Sequence, residues 1–114
     1  MNITTTNTAF DPSNLIQHTA HFPESGAYTV HQSGERLSNI SKGLTVNLFQ
    51  QKTKPAPHAF EFFTDDQMQY ASGGLWYEST NEGTRIVEYD GVFNLPKEVI
   101  QMLKALGYQT EGIE

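Results

Sequence analysis

The sequence predicts an α+β protein: a small antiparallel sheet of about five strands, with a C-terminal helix and one or two short helices packed on one face. Three observations carry that prediction. Residues 27–32 and 44–51 alternate between apolar and polar types, residues 75–89 read as a hairpin, and an amphipathic segment with its own start and stop signals follows them.

Taken in order, Met1 to Phe10 is polar and threonine-rich, which suits either a tail or an edge strand using Ile3, the threonines and Phe10. Asp11-Pro12 resembles a helix entry, and Leu15, Ile16, Thr19 and Ala20 form a weak apolar stripe, so a short helix is expected before Pro23. Ala27 to Gln32 has strand periodicity, with Tyr28 and Val30 on one side and Thr29 and His31 on the other. Ser33-Gly34 turns the chain, and Arg36 to Ile40 is the expected return. Leu44, Val46 and Leu48 then share one face of a further strand, with Thr45, Asn47 and Phe49 on the opposite one. Such a meander has one polar side.

Pro55-Ala56-Pro57 interrupts the pattern as a connector too short to divide domains. His58 to Phe63 is expected as a strand, with Phe60 and Phe62 opposed to Ala59 and Phe63. Thr64-Asp65-Asp66-Gln67 matches a capping box, which predicts a short helix over about 65–72 closed by Gly73-Gly74. Leu75 to Glu78 and Thr84 to Tyr89 are aromatic and β-branched, and Gly83 supplies the positive φ their turn requires. Finally, Val99, Met102, Leu103 and Leu106 recur at helical spacing with Leu95 one turn earlier, while Lys97, Gln101 and Lys104 lie opposite. Asn94 is the candidate cap, Pro96 fits the first turn, and Gly107 ends the helix. Residues 1–10 are thus a tail or edge strand and 11–114 a single domain.

Composition sets outer limits. The 114 residues contain no cysteine, which excludes disulfides, thiolate metal sites and cysteine nucleophiles. No signal-peptide pattern and no apolar run of membrane-spanning length occurs, so a cytoplasmic protein without a membrane partner is expected. The formal charge of −6 argues against direct nucleic-acid binding. Its distribution is uneven: every formal charge from Arg36 to Phe60 is positive, whereas Glu61 to Asp90 holds seven acids against Arg85 alone.

Few constellations suggest chemistry. If the segment from Asp11 to the residue before Pro23 were helical, His18 and His21 would share a face, and His31, Asp11 or Glu24 would complete a metal set. That spacing arises commonly by chance, solvent-facing or hydrogen-bonded imidazoles account for it equally, and no cofactor is expected. Asp65-Asp66 is explained by a helix N-terminus, and Asp90 by its turn with Gly91. Phosphate-cradling glycine loops and the Gly-x-Ser-x-Gly motif are missing.

Aromatic residues are the strongest hint. Phe62-Phe63 and Trp76-Tyr77 are adjacent within strands, so each pair points to both faces of the sheet, and a single layer of helices covers only one. Phe62, Phe63, Trp76, Tyr77 and Tyr89 are therefore the interface candidates. The leading expectation is a non-enzymatic interaction module that binds a protein partner or itself as a two-fold homodimer. An acidic decoy that occupies a nucleic-acid-binding protein is the first alternative. A small enzyme using His18, His21 or His31 is the second.

Overall fold

A computed structural model of the chain describes residues 2–7, 14–26, 31–32, 35–36, 42–65, 70–91 and 95–114. Its centre is a six-stranded antiparallel sheet, and among the described residues one helix accompanies it. The strands run in the order β1 (Ile3–Asn7), β2 (Leu15–Gly26), β5 (Lys42–Gln51), β6 (Ala59–Thr64), β7 (Tyr70–Thr80) and β8 (Gly83–Tyr89). Between β2 and β5, β3 (His31–Gln32) and β4 (Glu35–Arg36) pair with each other as a separate two-stranded ladder. Helix α1 covers Lys97–Ala105.

Alternation decides which side chains are buried. On the inner face, toward α1, Val46 pairs with Ala20 and Phe62, and Leu48 pairs with His18 and Phe60. These join Leu44, Ala71, Leu75 and Ile86 from the sheet and Val99, Met102 and Leu103 from the helix in one buried cluster. Phe60 and Phe62 stack along β6 with ring centroids 6.4 Å apart. The amphipathic pattern of α1 accounts for its docking, and its end is a Schellman motif. Tyr108 N–H reaches Leu103 O, Gly107 N–H reaches Lys104 O, and Gly107 takes φ 98°.

Several elements depart from the sequence reading. Leu15 to Ala20 is strand rather than helix: Ile16, His18 and Ala20 face inward, while Gln17 and Thr19 face outward. Nine register pairs with β5 outweigh the weak helical stripe of a segment poor in helix formers. Tyr70 to Ser72 begins β7 instead of ending a helix, so Gly73-Gly74 lies within the strand. The reason is steric. The chain leaving β8 crosses β7 so closely that a Cβ on Gly73 would collide with the Asp90 carbonyl and lie 2.8 Å from the Phe60 ring. Pro96 occupies the cap position of α1, not its first turn, with φ −60° and ψ 141°, and its carbonyl accepts from Val99 N–H. The proposed cap Asn94, the helix entry at Asp11–Ser13, the Asp66–Gln67 part of the capping box, and the Tyr28 and Val30 positions lie outside the described residues.

Other expectations match. Ile3–Asn7 is an edge strand on β2. Gly83 turns the β7–β8 hairpin with φ 125°. The two sheet edges are handled differently. Beyond β8, Gln109 bridges in parallel to Arg85, with its N–H on Thr84 O and its carbonyl on Ile86 N–H. Among the described residues β1 pairs only with β2.

Candidate functional site

The sheet face turned away from α1 is the surface on which the chain places chemistry unrelated to its core. Its residues follow directly from register. One row crosses β2, β5, β6 and β7 as Thr19, Asn47, Glu61 and Ser72. On one side of it runs His21, Thr45, Phe63 and Tyr70. On the other runs Gln17, Phe49, Ala59 and Gly74. Rows on one face are about 7 Å apart, and neighbours within a row about 5 Å.

Hydrogen bonds knit the central row. Gln17 Nε2 and Thr19 Oγ1 both donate to Asn47 Oδ1, at 3.1 and 2.6 Å, and Asn47 Nδ2 donates to Glu61 Oε1 at 2.9 Å. Asn47 is only 6% exposed, so its amide is committed to these partners. A second cluster joins His21, Thr45 and Asp65. Thr45 Oγ1 donates to Asp65 Oδ1 at 2.8 Å, and His21 places Nδ1 3.0 Å from Thr45 Oγ1 and Nε2 3.2 Å from Asp65 Oδ2. His21 is exposed, so the ion pair contributes little to stability.

Aromatic rings frame this polar ladder. Tyr70 is 48% and Trp76 49% exposed, and Phe49 and Phe63 are partly covered. The Trp76 indole lies back over Gly74: a Cβ there would sit 3.4 Å from its Cη2 atom. The absent side chain lets the ring extend along the strand into the row that contains Ala59. Trp76 pairs across the hairpin with exposed Glu88, and Glu78 holds Arg85 at 3.4 Å.

The five aromatic candidates divide between the faces. Phe62 is buried in the core, and Tyr77 and Tyr89 pack against it from the inner side. A bulge explains the last two: Tyr77 opposes Ile86 and Trp76 opposes Glu88, so Val87 is an extra residue in β8. Without it Ile86 and Tyr89, three apart, would face opposite sides. Phe63 and Trp76 are on the outer face. Tyr70, Phe49 and Glu61, not singled out in the sequence, join them there. Phe49 had a legible signal in its alternation with Leu48, whereas Tyr70 was hidden by the expected helix.

His18 and His21 do not converge. His18 and His21 are three apart on a strand and therefore face opposite sides. His18 is buried on the inner side in a satisfied chain of bonds. Gln50 donates Nε2–H to Lys54 O, which leaves its Oε1 to accept from His18 Nε2 at 3.0 Å, while Thr5 Oγ1 lies 2.9 Å from His18 Nδ1. Tyr108 also donates to Gln50 Oε1, at 3.4 Å, and burial raises the pKa of its phenol above the ordinary tyrosine value. His31 has its backbone paired with Arg36 in the small ladder. Among the described residues no three His, Asp or Glu side chains gather as metal ligands, and no helix is long and apolar enough to cross a membrane. An open groove beside β8, lined by Glu82, Arg85, Val87, Gln109, Glu111 and Gly112, brings together no acid–base pair with a nucleophile. No protein-family model matches the chain, and no similar curated protein or solved structure was found.

Proposed function

We propose that this chain is a non-enzymatic protein-interaction module whose partner docks on the outer face of the sheet. The observation that supports the reading is the half exposure of Trp76 and Tyr70 on the face that also carries Phe49 and Phe63. Aromatic side chains with one side seated and the other open are what interfaces bury at their centres. The separation of His18 from His21 weighs against the enzyme reading.

The acidic-decoy alternative gains from a specific arrangement. Glu61, Asp65, Glu78 and Glu88 all lie on this face, with Arg85 and His21 as the described basic side chains among them. The same arrangement bears on self-association. A two-fold contact through this face would set carboxylates against carboxylates, which costs affinity. A second copy is served better by the β1 edge, where Thr4, Thr5 and Thr6 are exposed and uncharged.

Site-specific photocrosslinking in the native host tests the docking face. A photoreactive residue at Trp76 should yield discrete adducts with another polypeptide, and one at Lys97 on the exposed side of α1 should not. Equal, diffuse labelling from both positions overturns the proposal. Light scattering at micromolar concentration tests the dimer.

A further inference from the structure

Resting on the docking face proposed above, the geometry points to its occupant: we infer that the outer face takes an arginine- or lysine-rich segment of a partner protein, with one cationic side chain seated on Glu61 between the Trp76 and Tyr70 rings. Charge complementarity selects this class. Among the described outer-face residues, five carboxylates (Glu61, Asp65, Glu78, Glu88 and Asp90) face one arginine, already held by Glu78, and one histidine, in contact with Asp65. An acidic or purely apolar segment would leave that imbalance uncompensated.

Glu61 is placed for this role in a way that the other acids are not. Asp65 contacts His21, Glu78 pairs with Arg85, Asp90 accepts from Gly74 N–H, and Glu88 lies at the hairpin side of the sheet. Glu61 is central in its row, and Asn47 fixes its Oε1, so its carboxylate is oriented before any ligand arrives. That bond occupies Oε1, and the carboxylate keeps Oε2 as its second acceptor. The flanking rows put Tyr70 and Phe63 on one side and the Trp76 ring, reaching over Gly74, on the other. Each ring row is about 7 Å from Glu61, within the range at which a guanidinium or ammonium group on the carboxylate also meets aromatic faces. The small side chains of Ala59 and Ser72 beside Glu61 leave room for the stem of such a residue. The planar, weakly hydrated guanidinium suits this setting better than ammonium, so arginine is preferred.

Trp76 is the only tryptophan in the chain, so its emission reports on this face alone. The purified protein is titrated with a nona-arginine peptide, with nona-lysine and nona-glutamate in parallel, and heat release is followed in the same titrations. Nona-arginine should shift Trp76 emission saturably, bind more tightly than nona-lysine, and leave nona-glutamate without effect. Glu61→Gln keeps an acceptor for Asn47, so the ladder and the fold persist, and it should weaken nona-arginine about tenfold. Glu114→Gln, beside Lys104 of α1 on the opposite side of the sheet, should leave binding unchanged. Equal losses in both variants, or no loss in Glu61→Gln, would mean only diffuse attraction to an acidic protein and would overturn the inference. If nona-arginine fails while Trp76 still crosslinks to a partner in cells, the docking face stands and its cationic occupant falls; if both fail, both fall.

Discussion

Replacing Asn47 with alanine is the most direct test of the ladder that orients Glu61. Asn47→Ala removes the bonds from Gln17, Thr19 and to Glu61 at one stroke. Two of these are neutral and stabilise by about 1 kcal/mol each, and the one to the carboxylate by about 2 kcal/mol, a gross loss of about 4 kcal/mol. Gln17, Thr19 and Glu61 are only partly buried, so water takes over much of what they lose. About half the gross figure survives, which predicts a destabilisation of about 2 kcal/mol. With a urea slope of about 1.5 kcal/mol/M for a domain of this size, the midpoint should fall by a little over 1 M. Urea unfolding followed by far-ultraviolet circular dichroism measures it, with Gln17→Ala as a reference expected to lose about 0.5–1 kcal/mol. Released from its anchor, Glu61 should also bind nona-arginine several-fold more weakly. An Asn47→Ala protein within 0.5 kcal/mol of wild type would refute the reasoning, because the ladder would then contribute no more than an ordinary surface contact.

Three further outcomes probe the frame around that face. Gly73→Ala should cost about 3 kcal/mol or more, or abolish folding, because its Cβ meets the Asp90 carbonyl and the Phe60 ring, whereas Gly112→Ala, with no contact inside 3.4 Å, should melt like wild type. Tyr108 prefers to stay neutral in the folded state, so unfolding releases its proton more readily: stability is unaffected below the ordinary tyrosine value and falls as pH rises through it toward the raised native one. Tyr108→Phe should remove that part of the alkaline slope in urea midpoints measured across pH 9–12. Thr110 is 1% exposed and its Oγ1 meets no hydrogen-bond partner among the described residues, so Thr110→Val should raise the melting temperature by about 5 °C, a gain of about 1 kcal/mol; a drop would mean the hydroxyl is satisfied.

The elements legible in the sequence are those whose local signals and tertiary contacts agree. The alternation of Leu44, Val46 and Leu48, the opposition of Phe60 and Phe62 to Phe63, and the stripe of α1 closed by Gly107 each state a buried face in a few consecutive residues. Strand β2 was hidden because one inward position is His18. Its burial is made possible by Thr5 and Gln50, which are 13 and 32 residues away in sequence and invisible to any local pattern. The start of β7 was hidden by an apparent capping box and a glycine pair. Gly73 and Gly74 look like a helix stop, yet their smallness serves the crossing at Asp90 and the shelf for Trp76. Of the outer face, Phe63 and Trp76 were readable from adjacency, but the Glu61 row depends on the register of four strands. No local pattern aligns Thr19, Asn47, Glu61 and Ser72.

The bulge at Val87 joins the core to the candidate site. Ile86 and Tyr89 both reach the inner face only because β8 carries one residue more than β7 between them. The extra residue also keeps Trp76 opposite Glu88 on the outer face while Leu75 and Tyr77 remain inside. A regular ladder could satisfy one side of this hairpin but not both, since a one-residue slip exchanges the two faces. The aromatic–carboxylate pairing outside and the hydrophobic closure inside are therefore set by the same irregularity. Deleting Val87 would leave Ile86, Glu88 and Tyr89 in regular alternation opposite Tyr77, Trp76 and Leu75, so both faces should keep their residues, and the urea midpoint and nona-arginine binding should stay close to wild type. A large loss of both would mean that the bulge itself, and not the pairing it preserves, holds the docking face.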